Sequence, residues 1–94
     1  MHIETVSKWA QEMEKDFKDL KHSPELEWLG AGCYVFYFYD LPKGQRLGID
    51  NDCIVLYSSD HNCEGVWFHY FEENQTTKGK AQIVCDVYDL IKLK

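Results

Sequence analysis

The hydrophobic period of this chain changes once, and the change separates what folds as helix from what folds as strand. Before it, Ile3, Val6, Trp9, Met13, Phe17 and Leu20 recur at intervals of three and four, with Glu4, Lys8, Glu12, Lys15 and Lys18 between them. That spacing lays the apolar residues along one stripe of a helix. An amphipathic helix of about five turns is therefore expected at the start of the chain. It should stop near Lys21 or His22, where basic groups suit the negative end of the helix dipole and Ser23-Pro24 interrupts.

Ser23-Pro24-Glu25 then reads as a helix start, with Ser as cap, Pro in the first position and Gly30 as the stop. On that reading Leu26, Trp28 and Leu29 sit on a short helical turn. The alternation of Leu26 with Trp28 also suits a short strand; the helical turn is preferred.

From Cys33 onward the period is two. Cys33–Tyr39, Arg46–Ile49, Cys53–Ser58, Val66–Glu72 and Lys80–Tyr88 read as strands rich in Val, Ile, Tyr, Phe and Trp. The segments between them carry Pro, Gly, Asn and Asp, the residues of turns, and short turns join antiparallel neighbours. The expected fold is α+β: an N-terminal amphipathic helix packed on a five-stranded antiparallel β-meander. No repeat, linker or low-complexity tract divides residues 1–94, so a single compact domain is expected. The end of the last element stays open, because Val87, Leu90 and Ile91 also suit a closing helical turn.

With 45% hydrophobic and 15% aromatic residues the chain has material for a core, and Trp9, Trp28, Trp67, Phe17, Phe36, Phe38, Phe68 and Phe71 are its bulkiest candidates. Disorder is excluded on that composition. No window is apolar enough to span a bilayer, and the first residues lack the basic and apolar regions of a signal peptide, so a cytoplasmic location is expected. Cys33 and Cys85, inside apolar runs, read as small buried hydrophobes.

A net charge of -6 argues against direct nucleic-acid or anionic-membrane binding, both of which need a basic footprint. Its distribution says more. From Leu47 to Thr77 there is no Lys or Arg, while Asp50, Asp52, Asp60, Glu64, Glu72 and Glu73 all fall there. A charge run often serves only solubility. Carboxylates gathered at strand ends would also form a negative rim complementary to a basic cleft on a partner.

A second feature is aromatic. Cys33–Tyr39 is apolar on both faces, and Val66–Glu72 repeats the pattern, which a sheet covered by one helix does not require. Either other parts of the chain cover the second face or it meets a partner; on the latter reading Tyr34, Phe36, Phe38, Trp67 and His69 are the candidate contact residues.

Cys53, His61 and Cys63 supply zinc-type ligands, and Asp60, His61, Cys63 and Glu64 place a thiol, an imidazole and two carboxylates together. No Cys-x-x-Cys pair exists, and nucleophile and base usually meet through the fold rather than along one loop. No metal, cofactor or catalytic residue is therefore assigned. The expectation is a non-enzymatic, protein-binding inhibitor or neutraliser, of immunity-protein, antitoxin or phage anti-defence type, that occludes a basic site on a nuclease or other nucleic-acid-acting protein. The alternative is a homodimeric scaffold or complex subunit using an aromatic sheet face.

Overall fold

The strands sort their side chains into two chemically different faces, and that sorting decides where the helices lie. The computed structural model of the chain describes residues 7–30, 33–58 and 65–93. Among them the elements run α1 (Lys8–Asp19), β1 (Glu25–Gly30), β2 (Cys33–Phe38), β3 (Arg46–Ile49), β4 (Cys53–Tyr57), β5 (Gly65–Tyr70) and α2 (Thr77–Lys92). The strands form one five-stranded antiparallel sheet in sequence order, a meander, so the expected α+β class holds.

Register aligns Leu26, Phe36, Ile49, Ile54 and His69 in one row across the sheet, and Phe38, Leu47, Leu56 and Trp67 in another. These rows face both helices. Helix α1 contributes Ala10, Met13 and Phe17 to the core, and α2 contributes Ala81, Val84 and Cys85. The Phe17 ring meets Phe36 edge-on at 5.1 Å and Phe38 at 6.1 Å, the geometry that ring quadrupoles favour. Each such side chain, fully buried, stabilises the fold by about 1.5–3 kcal/mol.

Two elements differ from expectation. Glu25–Gly30 is a strand rather than a helical turn, because pairing with β2 along Glu25–Tyr37, Glu27–Val35 and their neighbours gives its backbone partners that outweigh the local Ser-Pro signal. Lys80–Tyr88, expected as the last strand, lies inside α2. Its apolar residues do alternate, yet Ala81, Val84, Cys85, Tyr88 and Ile91 also fill one helical stripe, and that stripe is the one packed on the sheet. Thr76 starts the helix, its hydroxyl accepting the Gly79 N–H at 3.0 Å. The sheet keeps five strands because β1 takes the place of the strand lost to α2.

Polar clips hold the layers in register. Asp16 of α1 accepts the Thr77 hydroxyl at 2.9 Å at the start of α2, where a carboxylate also suits the positive end of the dipole. Buried Lys80 donates from Nζ to the Asn51 carbonyl at 2.7 Å and to Asn51 Oδ1 at 3.0 Å, fastening α2 to the β3–β4 turn. His22 lies between α1 and the far end of α2, with Nε2 3.0 Å from Asp89 Oδ1 and Nδ1 2.7 Å from the Leu20 carbonyl.

Candidate protein-binding face

With both helices on one side, no described element covers the other side of the sheet. That open face is built from the alternate residues: Glu25 and Glu27 of β1, Val35 and Tyr37 of β2, Arg46 and Gly48 of β3, Cys53, Val55 and Tyr57 of β4, and Phe68 and Tyr70 of β5, with Tyr39 just beyond β2. One row crosses all five strands as Glu25, Tyr37, Gly48, Val55 and Phe68. It is apolar and aromatic for most of its length and acidic at the β1 margin.

The middle of this face is held by a cation between two rings. The Arg46 guanidinium carbon is 4.6 Å from the Tyr57 ring centre and 5.6 Å from that of Tyr37, and Tyr37 stacks on Tyr39 at 5.4 Å. Gly48 makes the arrangement fit. A Cβ there would come within 2.9 Å of the Tyr57 ring and 3.1 Å of the Tyr37 ring, so a bare backbone lets both rings close over β3. Burial and the neighbouring Tyr57 raise the Tyr37 hydroxyl above its usual range, with Arg46 opposing. Partial burial and a hydrogen bond donated to Glu27 push Tyr39 up to about 12. Tyr37 and Tyr39 are therefore neutral donors at neutral pH.

The aromatic residues expected on a partner surface fall elsewhere. Tyr34, Phe36 and Phe38 are buried under the helices, because the even positions of β2 face the helix layer. Trp67 lies at the margin of that layer, stacked 6.1 Å from the half-buried His69. Trp28 and Phe68, expected in the core, are instead half exposed, and Cys33 is exposed whereas Cys85 is buried.

Of the acidic residues, four gather at one end of the sheet. Asp50 and Asp52 sit in the β3–β4 turn and Glu72 and Glu73 follow β5, and the two segments are joined by the Phe71 N–H donating to the Asp52 carbonyl at 2.9 Å. Asp50 closes its own turn, since its Oδ1 accepts the N–H groups of Asp52 at 2.7 Å and Cys53 at 2.9 Å. Asp52, Glu72 and Glu73 are exposed. Asp60 and Glu64 lie outside the described residues, as do His61 and Cys63 of the candidate ligand set.

Cys53, the described member of that set, has its thiol pushed up to about 11, first by burial and then by the charge of Asp50. Without a bound cation it is therefore a neutral thiol at neutral pH. Among the described residues no three His, Cys, Asp or Glu side chains converge as a metal site, and no helix is long and apolar enough to cross a membrane.

The open face continues around the β1–β2 margin into a cleft of about 590 Å³ whose lining includes Glu25, Tyr39, Asp40, Tyr88 and Asp89. Asp40 there is already engaged by Lys92 and Tyr88, and Asp89 by His22, and Lys21 also lines the cleft. Comparison with known proteins finds no matching family model, no matching curated protein and no matching solved structure.

Proposed function

We propose that this chain acts by binding another protein on the open face of its sheet, as an inhibitor or neutraliser that covers a basic functional site, such as that of a nucleic-acid-acting protein. The observation carrying this reading is that the uncovered face holds Tyr37, Tyr39 and Tyr57 about Arg46, with Phe68 and Tyr70 further across it on β5. Tyrosine and arginine are enriched among the residues that dominate binding energy, because each offers a large rigid or planar surface with a polar end. Acidic groups flank this centre, Glu25 and Glu27 on one side and Asp52, Glu72 and Glu73 at one end. A partner with an apolar patch set among Lys and Arg is complementary to it, and such charges act mainly on association rate and selectivity.

The test is affinity capture from the native cell with the intact chain and two variants. Phe68→Lys with Tyr70→Lys should abolish capture of a partner that the wild type retains. Neutralising Asp52, Glu72 and Glu73 as Asn, Gln and Gln should leave the complex detectable but flatten its dependence on salt. Equal capture by wild type and the Phe68→Lys, Tyr70→Lys variant, with both folded by circular dichroism, refutes the reading.

A further inference from the structure

The two edges of the sheet are protected very differently. At the β1 edge, Pro24 precedes the strand, Glu25 and Glu27 lie within it, and its pairing is irregular between Trp28 and Gly30. Proline, charge and irregularity are the usual devices that stop an edge from recruiting another strand. The β5 edge has none of them along its outer half. From Gly65 to Phe71 there is no Lys, Arg, Asp, Glu or Pro, and Val66 is 59% exposed, Trp67 39%, Phe68 54% and Tyr70 70%. The irregularity of the β4–β5 ladder falls at its start, opposite Leu56 and Tyr57.

We propose that the β5 edge pairs with the β5 edge of a second copy of this chain, antiparallel about a two-fold axis at Phe68, to make a ten-stranded sheet. Register selects that axis. Centred on Phe68, Val66 faces the partner copy's Tyr70, Phe68 faces its own counterpart, and Trp67 faces His69, so every pair is apolar or aromatic and every pair shares a sheet face. Centred one residue later, Val66 would face Glu72. Centred one residue earlier, Gly65 and Val66 would both be drawn into the pairing, whereas the Phe68 centre takes in Val66 alone, at its margin. A two-fold axis requires a surface complementary to itself, and an uncharged strand is one, since no like charges meet.

Beside the strand, a groove of about 340 Å³ lined by Leu56, Trp67, Val87, Leu90 and Ile91 opens on the same edge, and Leu90 is largely exposed. Val66, Trp67 and Leu90, all partly or largely exposed, add an apolar side-chain contact to the strand pairing at this edge. A reversible, concentration-dependent dimer follows, and it joins the two open faces edge to edge, with Phe68 and Tyr70 at the seam.

Sedimentation velocity on the wild-type chain over a wide concentration range should show a monomer–dimer equilibrium. Val66→Lys and, separately, Tyr70→Glu should each weaken self-association by about tenfold or more, while an equimolar mixture of the two restores a dimer through the new opposite-charge pair. Phe68→Cys should give a disulfide-linked dimer under mild oxidation, mapped to position 68 by mass spectrometry, because directly opposed residues lie within disulfide reach. A wild-type chain that stays monomeric at all concentrations overturns the proposal. So does a dimer indifferent to both charged variants that gives no cross-link at position 68. Either result leaves the binding role of the open face standing, since that role is read by capture of a different protein and Val66→Lys, which weakens only the dimer, should leave that capture unchanged.

Discussion

The two faces of the sheet are written by adjacent residues of the same strands, yet they are different surfaces. In β2, Phe36 and Phe38 point into the helix layer and are buried, while Tyr37 and Tyr39, next to them in sequence, point the other way and stack on each other. The helix-facing rows are Leu, Ile and Phe with edge-to-face rings; the open rows are Tyr, Val and Gly with a guanidinium laid between rings. In β2 a ring hydroxyl separates Tyr37 and the adjoining Tyr39 from Phe36 and Phe38. It lets an aromatic residue keep its bulk at a surface and still meet water or a partner's polar groups, whereas in the core it would need a buried hydrogen-bond partner.

The comparison is broken most strongly by truncating each face in turn. Phe36→Ala should cost about 3–5 kcal/mol in urea unfolding, the usual range for an emptied core position, whereas Phe68→Ser should change stability by less than about 1 kcal/mol and act on binding. Comparable losses from both would mean that the open face is a second core. A smaller effect is expected at the clip between layers: Lys80→Met removes both hydrogen bonds to Asn51 and leaves its carbonyl without that donor, costing about 1–3 kcal/mol by the same measurement. An unchanged midpoint would show that the clip contributes nothing to holding the β3–β4 turn.

The smallest expected effect is a pH dependence. His22 places each ring nitrogen against an acceptor, the Leu20 carbonyl and the Asp89 carboxylate, a geometry satisfied by the doubly protonated ring. Burial lowers its pKa, but the hydrogen bonds to Asp89 and Leu20 and the Asp89 charge outweigh it and raise the value above the ordinary 6.5. A group raised in the folded state contributes stability that is complete below 6.5 and is lost as pH rises through the folded midpoint. Stability should therefore decline slightly over that window in the wild type. The decline should shrink in Asp89→Asn, by a fraction of a kcal/mol because Asp89 is exposed. A wild-type stability that rises over the same window would contradict the assignment.

Much of this was legible in the residues, and the rest was hidden for identifiable reasons. Strands β2, β3 and β4 follow from their composition and turn residues, and the register of α1 follows from Met13 and Phe17. Segment 80–88 satisfies both periods at once, so alternation alone could not separate strand from helix; Thr76, three residues before Gly79, was the available cap signal. The sorting of β2 into faces was hidden for a related reason. Both parities of Cys33–Tyr39 are apolar, so the strand does not declare which side is covered. Its neighbours do, since Glu25, Glu27 and Arg46 all fall on one face, but reading Glu25–Gly30 as a helical turn removed two of those three markers. The gathering of Asp52 with Glu72 and Glu73 depends on the β4–β5 pairing, a contact distant in sequence.

The central claim, that the open face is where a partner sits, is tested most directly by chemical modification of tyrosine with and without the captured partner. Tyr39 and Tyr70 are exposed on that face, Tyr34 is buried in the core, and Tyr88 lies in the helix layer hydrogen-bonded to Asp40 at 2.7 Å, so one reaction carries its own controls. Mass spectrometry after nitration should show Tyr70 modified readily in the free chain and Tyr39 more slowly, because its hydroxyl is held protonated against Glu27, with both protected in the complex and Tyr34 unreactive throughout. Equal modification of Tyr39 and Tyr70 in the free and bound states would contradict the account.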